Sequence, residues 1–347
     1  MGKKELEVLS KTNNSKAVKN SNVMNNNVKN NNVKNNNVKK SKVTKRAKAL
    51  RIVAIVVVFF LISNAIATKI IYDNIFCRYD KNALTDEIAA KYSELLDSRE
   101  ELFIEDELKA YFYDVQDEKG IVVIAPGLHA GANHYLAMTQ YLTENGYDVF
   151  SFDPYGTIDS KGKSCVGFSK EIEDLDKVLA FVEATYPNEN EYVIGHSRGA
   201  FAACSMIGSS HDIDAVVSVS GLNSAMEAVI GLSSRYVGPV ANANYFCLWL
   251  YQVMLFDKAT MDVRADKKIN AGNVPVLIIQ GSADKTAPVE KYSIYSHKNE
   301  LDSEKASFIF CDKDGQNDHT DLLYAEDGIS PNEELMSQIV EFIGAIN

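Results

Sequence analysis

Seven short runs between residues 108 and 314 are almost continuously apolar, and they constrain the fold more than any other feature. They are LKAYFYDV (108–115), GIVVIAP (120–126), YDVFSFDP (147–154), EYVIGH (191–196), AVVSVSG (215–221), PVLIIQGS (275–282) and SFIFCDKD (307–314). A strand with one wet face alternates apolar and polar residues; a strand apolar throughout must be covered on both faces. Between these runs, stretches such as EIEDLDKVLAFVEATY (171–186) carry apolar residues at helical spacing. Alternation of the two patterns predicts an α/β domain over 106–347, a mainly parallel sheet with helices on both faces. Residues 73–105 read as a helical stalk or first helix. The long segment 222–270 between two strands reads as a small helical insertion. Its Tyr245, Phe246, Trp249, Tyr251 and Phe256 suit either a cap over an apolar site or ordinary packing.

The chain's charge is divided. Residues 1–51 hold 14 Lys/Arg against 2 Asp/Glu, whereas the remainder holds 22 against 45. An acidic body argues against a nucleic-acid-binding face on the folded part. Residues 1–49 form a basic Asn/Lys-rich tail in which NNNVKNNNVKNNNVKK repeats a five-residue unit with no apolar face. The tail is expected to be disordered to about residue 45, a solvated segment that also signals topology. Residues 50–72 follow as a transmembrane segment. The uncharged stretch Ile52–Thr68 would make a helix of about 26 Å, and Lys69 can snorkel to bring it to bilayer thickness. Basic residues ahead of the span predict a single-pass protein with its N-terminus in the cytoplasm and the acidic body on the outer face. Secretion after signal cleavage is the alternative, since Ser63-Asn64-Ala65 and Ala65-Ile66-Ala67 resemble cleavage sites. The cysteines at 77, 165, 204, 247 and 311 have no metal-ligand spacing, so no metal is expected. In an exported domain they allow at most two bridges, with Cys204 a candidate for the thiol left over.

EYVIGHSRGAFAAC (191–204) places Ser197 between glycines where an apolar strand gives way to an Ala-rich helix. A nucleophile elbow requires that strand-turn-helix setting, and the helix N-terminus directs N–H groups at developing negative charge. The serine needs a base. His129 and His134 precede the elbow in a loop, His196 lies within the turn and is read as facing away, His211 follows the next helix, and His297 lies in a helical stretch. His319, in the loop DGQNDHTDLL after the last strand, remains. QGSADKTAP (280–288) offers Asp284 as the acid, with Asp318 and Asp321 as rivals close to His319.

With GHSRG at the elbow, QGSADKTAP at the acid turn, a late loop histidine and the order Ser, Asp, His, residues 108–347 resemble the α/β-hydrolase superfamily. The likeness is greatest to bacterial serine hydrolases akin to monoacylglycerol lipases and serine aminopeptidases. The resemblance implies an α/β-hydrolase fold and a Ser197–His319–Asp284 triad. It also implies an oxyanion hole from the backbone N–H groups of Leu128 and Arg198. Leu128 comes from APGLHAGANHY (125–135), which departs from the family's His-Gly-x loop at Pro126. DPYGTIDSKGKS (153–164) lacks an arginine that the family carries in its Asp-x-Arg-Gly motif. The substrate implied is a small acyl compound, a lipid among the candidates, with no cofactor. Carboxylic ester hydrolysis leads, with acyl transfer, peptide hydrolysis, or binding without catalysis on the same fold as alternatives.

Overall fold

The computed structural model describes residues 3–187 and 189–346. The chain divides into two units after Ala65. Helix α1 runs from Lys3 to Ile75. From residue 3 to 75 the sequence has neither glycine nor proline, so nothing breaks the helix that the apolar span nucleates. The helix runs through the segment that the sequence reads as a disordered tail. The repeat's valines at 23, 28, 33, 38 and 43 are all exposed, because a five-residue step winds around a helix instead of building one face. Among the described residues, α1 is the helix long and apolar enough to cross a membrane.

From Ile66 onward the chain forms an eight-stranded sheet. Helices α2 (Asp86–Lys91) and α3 (Ser93–Ser98) precede the hairpin of β1 (Glu100–Ile104) and β2 (Leu108–Tyr113). Then come β3 (Ile121–Ala125), α4 (Leu136–Glu144), β4 (Asp148–Phe152), α5 (Lys170–Thr185), β5 (Glu191–His196) and α6 (Arg198–Met206). β6 (Ala215–Val219) leads into five helices: α7 (Ala225–Val237), α8 (Val240–Ala243), α9 (Tyr245–Leu255), α10 (Lys258–Met261) and α11 (Ala265–Ala271). β7 (Val276–Gly281), β8 (Ala306–Cys311) and α12 (Glu333–Gly344) complete the domain. The strand order is β1-β2-β4-β3-β5-β6-β7-β8, with β2 antiparallel to both neighbours and β4 through β8 parallel.

All seven apolar runs are strands, and β3 through β7 are buried at every position. Their alternate side chains feed two cores. Leu175, Val178 and Leu179 of α5 and Ala202 and Ala203 of α6 cover one face; Leu136 and Leu142 of α4 and Leu335 and Ile339 of α12 cover the other. β1 was hidden in the supposed helical stalk. It is a half-exposed edge strand, and its hairpin turns at Glu105 and Asp106, both at positive φ without the Asn-Gly signal that usually marks such a turn.

Candidate active site

Ser197, Asp284 and His319 come from the carboxyl ends of β5, β7 and β8, the edge where open parallel sheets bind ligands. The serine backbone has φ 56° and ψ −109°, a conformation that costs a non-glycine residue about 1–3 kcal/mol. Its neighbours explain how the turn survives. A Cβ on Gly195 would lie 2.4 Å from the Gly199 carbonyl oxygen, and one on Gly199 would lie 2.0 Å from the Ala125 oxygen. Only glycine lets α6 approach β3 and β5 so closely.

The three side chains form one hydrogen-bond chain. Asp284 Oδ2 lies 2.8 Å from His319 Nδ1, and His319 Nε2 lies 2.9 Å from Ser197 Oγ. A carboxylate can only accept, so Nδ1 carries the proton and Nε2 is left to accept from the serine hydroxyl. Asp284 is well supplied with donors: Thr286 and Ala287 backbone N–H groups reach Oδ1 at 2.7 and 2.8 Å, and Gln280 Nε2 reaches Oδ2 at 3.1 Å. Burial alone would raise its pKa; the His319 contact and these N–H groups outweigh that and hold it below the usual carboxylate value. Asp318 instead accepts from the His319 backbone N–H at 2.7 Å. Asp321 opens the short 3-10 turn after the histidine.

His196, read from the sequence as facing away, lies against the back of this array. Its Nε2 is 2.9 Å from the His319 carbonyl oxygen, so that nitrogen donates. Its Nδ1 must then accept, 2.9 Å from the Tyr135 hydroxyl, which itself accepts from the Gly127 N–H at 2.8 Å. Burial, and next the nearby His319 ring, push His196 down to about 3, so it is neutral. The relay ties the Gly127–Leu128 loop to the loop bearing His319. Sequence reasoning missed it because its partners lie 61 and 123 positions away.

Arg198 begins α6, its backbone N–H in the first turn beside Ser197, while its fully buried guanidinium pairs with Glu171. Burial raises the Glu171 carboxyl above its usual range, and the guanidinium opposes that rise. Leu128 lies on the loop after β3 and lines two cavities that both reach Ser197. One, of about 310 Å³, is walled by Leu128, Phe168, Leu222, Leu232 and Tyr236 with Asn74 and Ile75 of α1. The other, of about 220 Å³, is bordered by Tyr79, His129, His134 and Tyr324. The aromatic residues singled out in the insertion line neither: Tyr245 and Phe246 of α9 are exposed, Tyr251 packs on Tyr72, and Phe256, just past α9, is buried. The insertion's contribution to the first cavity comes from Leu222 and α7 instead. All five cysteines are free thiols, Cys165 and Cys204 deeply buried.

A parallel sheet with a strained serine at the end of a central strand, backed by histidine and aspartate from later strand ends, defines a class. The chain has the α/β-hydrolase fold. Residues 116–250 match the family described as serine aminopeptidase, S33. Over 100 residues the chain is 28% identical to a monoglyceride lipase homolog of Monkeypox virus. That match takes in 27% of this chain and 36% of the viral protein, so the chain spans about a third of the length of the curated relative it matches. Its fold is similar to that of a Pyrococcus furiosus esterase, at 20% identity over 78% of this chain and 98% of that one, with a TM-score of 0.56. It is similar also to that of a highly thermostable carboxyl esterase from Bacillus coagulans, at 16% identity over 72% and 99%, with a TM-score of 0.50. At these identities the likeness is one of fold.

Proposed function

We propose that this chain is a membrane-anchored serine hydrolase that cleaves a carboxylic ester through an acyl-enzyme. The observation that carries the reading is the unbroken hydrogen-bond chain from Ser197 Oγ through both nitrogens of His319 to Asp284. His319 Nε2 takes the hydroxyl proton as Oγ attacks the ester carbonyl carbon, and the Asp284 carboxylate stabilises the imidazolium that forms. Backbone N–H groups of Arg198 and Leu128 hold the oxyanion. Collapse of the tetrahedral species passes the His319 proton to the departing alkoxide oxygen. Water, deprotonated by the same nitrogen, then attacks the acyl-enzyme and releases the acid. The apolar walls of the larger cavity suit an acyl group, which favours an ester over a peptide. The fold's esterase relatives point the same way.

Residues 50–72 anchor the protein, with residues 1–49 in the cytoplasm and the hydrolase domain outside. The excess of 14 Lys/Arg over 2 Asp/Glu ahead of Ile52 supports that orientation, because moving those cations across the bilayer against the potential is unfavourable. Hydrolysis of a p-nitrophenyl ester tests the catalytic assignment: Ser197→Ala and His319→Ala abolish it and His297→Ala does not. Retained turnover in Ser197→Ala would refute it.

A further inference from the structure

Leu128, whose backbone N–H serves as an oxyanion donor in the reading above, is the second residue of a four-residue turn. The Ala130 N–H donates to the Gly127 carbonyl oxygen at 3.2 Å. Leu128 stays at negative φ while His129, third in the turn, has φ 61°. That combination is a type II turn, whose third position favours glycine. The closing bond leaves the N–H of the second residue free, and among the described residues nothing accepts from the Leu128 N–H.

A turn with histidine where glycine belongs is strained and persists only if its surroundings hold it. The ends of the loop are tied, the Gly127 N–H to the Tyr135 hydroxyl at 2.8 Å and the Ala132 N–H to Asp153 Oδ1 at 2.9 Å. Pro126 has no N–H to add. The middle is held from outside: the Tyr79 ring stacks on the His129 ring, with centroids 5.1 Å apart and planes 19° from parallel. Tyr79 is in turn fixed to the loop after β4. Its N–H donates to the Gly156 oxygen at 3.1 Å, and its carbonyl oxygen accepts from the Ile158 N–H at 2.8 Å. Beside it the Arg78 guanidinium donates to the carbonyl oxygens of Ile158, Ser160 and Gly162 at 2.6, 2.9 and 2.7 Å. Residues 78 and 79 thus hang on one loop by backbone and side chain, and they present an aromatic face to the strained residue.

We propose that Tyr79 is a positioning residue for the oxyanion hole: its stack on His129 holds the turn in the form that directs the Leu128 N–H at the substrate oxygen. This rests on the serine hydrolase reading above and adds to it a residue that lies ahead of the sheet. The rival role is plain contact with substrate, because Tyr79 also borders the smaller cavity at Ser197.

The test compares full-length Tyr79→Leu, which keeps bulk without a flat ring, with Tyr79→Phe, which keeps the ring. Tyr79 is half-buried, so neither change hollows the core. Two quantities are read: steady-state hydrolysis of p-nitrophenyl acetate and inhibition by an alkyl trifluoromethyl ketone. Ser197 Oγ bonds to the ketone carbon, its proton passes to His319 Nε2, and the carbonyl oxygen becomes an anion in the oxyanion hole. The inhibition constant therefore reports the hole without turnover. Loss of one oxyanion donor costs about 10²–10³ in kcat, so Tyr79→Leu should lower kcat at least about tenfold, leave KM little changed and weaken the ketone by a similar factor. Tyr79→Phe should stay within about twofold of wild type in all three. A fall in kcat with unchanged ketone affinity would mean fewer folded molecules, and a rise in KM alone would mean that Tyr79 only lines the cavity. Either result overturns the proposal, as do wild-type values in Tyr79→Leu or an equal loss in Tyr79→Phe. A second arm uses His129→Gly, which adopts the turn without strain. Adding Tyr79→Leu to it should cost no more than about twofold further, and the full loss in that background overturns the proposal. Wild-type protein that neither hydrolyses the ester nor binds the ketone would remove the hydrolase reading and the proposal together.

Discussion

His196 should make the protein's stability depend on pH with a sign that can be worked out in advance. Its pKa falls from 6.5 to about 3 on folding, chiefly through burial between Tyr135 and His319. The folded state therefore keeps the ring neutral while the unfolded chain protonates it. Stability from this group is fully present above pH 6.5 and is lost as pH falls toward 3. Between pH 7 and pH 5 the loss is about 2 kcal/mol, the free energy of protonating the ring in the unfolded chain only. Carboxyls raised by burial act in the opposite sense, Glu191 to about 8 and Asp153 to about 6, so the wild-type profile alone would not isolate the histidine. The comparison is with His196→Gln, which retains an amide donor for the His319 carbonyl and does not titrate. Urea unfolding in detergent micelles, followed by Trp249 fluorescence at pH 7 and pH 5, gives the stability difference between the two proteins at each pH. That difference should shift by about 2 kcal/mol in favour of the glutamine variant at pH 5. A difference that stays flat with pH would refute the assignment of a buried neutral ring.

Asp284→Asn should lower kcat by up to about four orders of magnitude by favouring the wrong His319 tautomer, as steady-state kinetics would record. Near-normal rates would move the acid elsewhere, with Asp318 the first suspect. Gly199→Ala places a methyl 2.0 Å from the Ala125 oxygen, a clash with backbone that neither strand nor helix can absorb in place. A loss of roughly 1–3 kcal/mol in chemical unfolding is expected, with activity falling further because the Leu128 loop follows Ala125 directly. Arg198→Leu leaves Glu171 buried without its partner and should cost about 3–5 kcal/mol by the same assay, and Glu171→Gln alongside it should restore part of that loss.

The parallel core of the fold was legible because burial on both faces writes itself into a strand as an unbroken apolar run, as in GIVVIAP and PVLIIQGS. β1 was not, because an edge strand with one wet face and a glycine-free turn carries neither signal. Ser197, Asp284 and His319 could be picked out because each follows a strand, and the sheet brings strand ends together whatever their separation in sequence. The Tyr135–His196 relay obeys no such rule. It joins a loop to the inside of the elbow, and only the packed structure brings the two within hydrogen-bond reach. The aromatic residues of the insertion were visible in the sequence but their direction was not, since α9 is apolar nearly all round and its periodicity does not single out one inward face.

The central claim, that Ser197 is an activated nucleophile, meets its most direct test in labelling by a fluorophosphonate probe. Full-length protein is treated with the probe at neutral pH, digested, and the modified peptide identified by mass spectrometry. The account predicts a single phosphonylated residue at Ser197 within EYVIGHSRGAFAAC, and no labelling in Ser197→Ala or His319→Ala. Folded protein that stays unlabelled, or that labels at another serine, would contradict it.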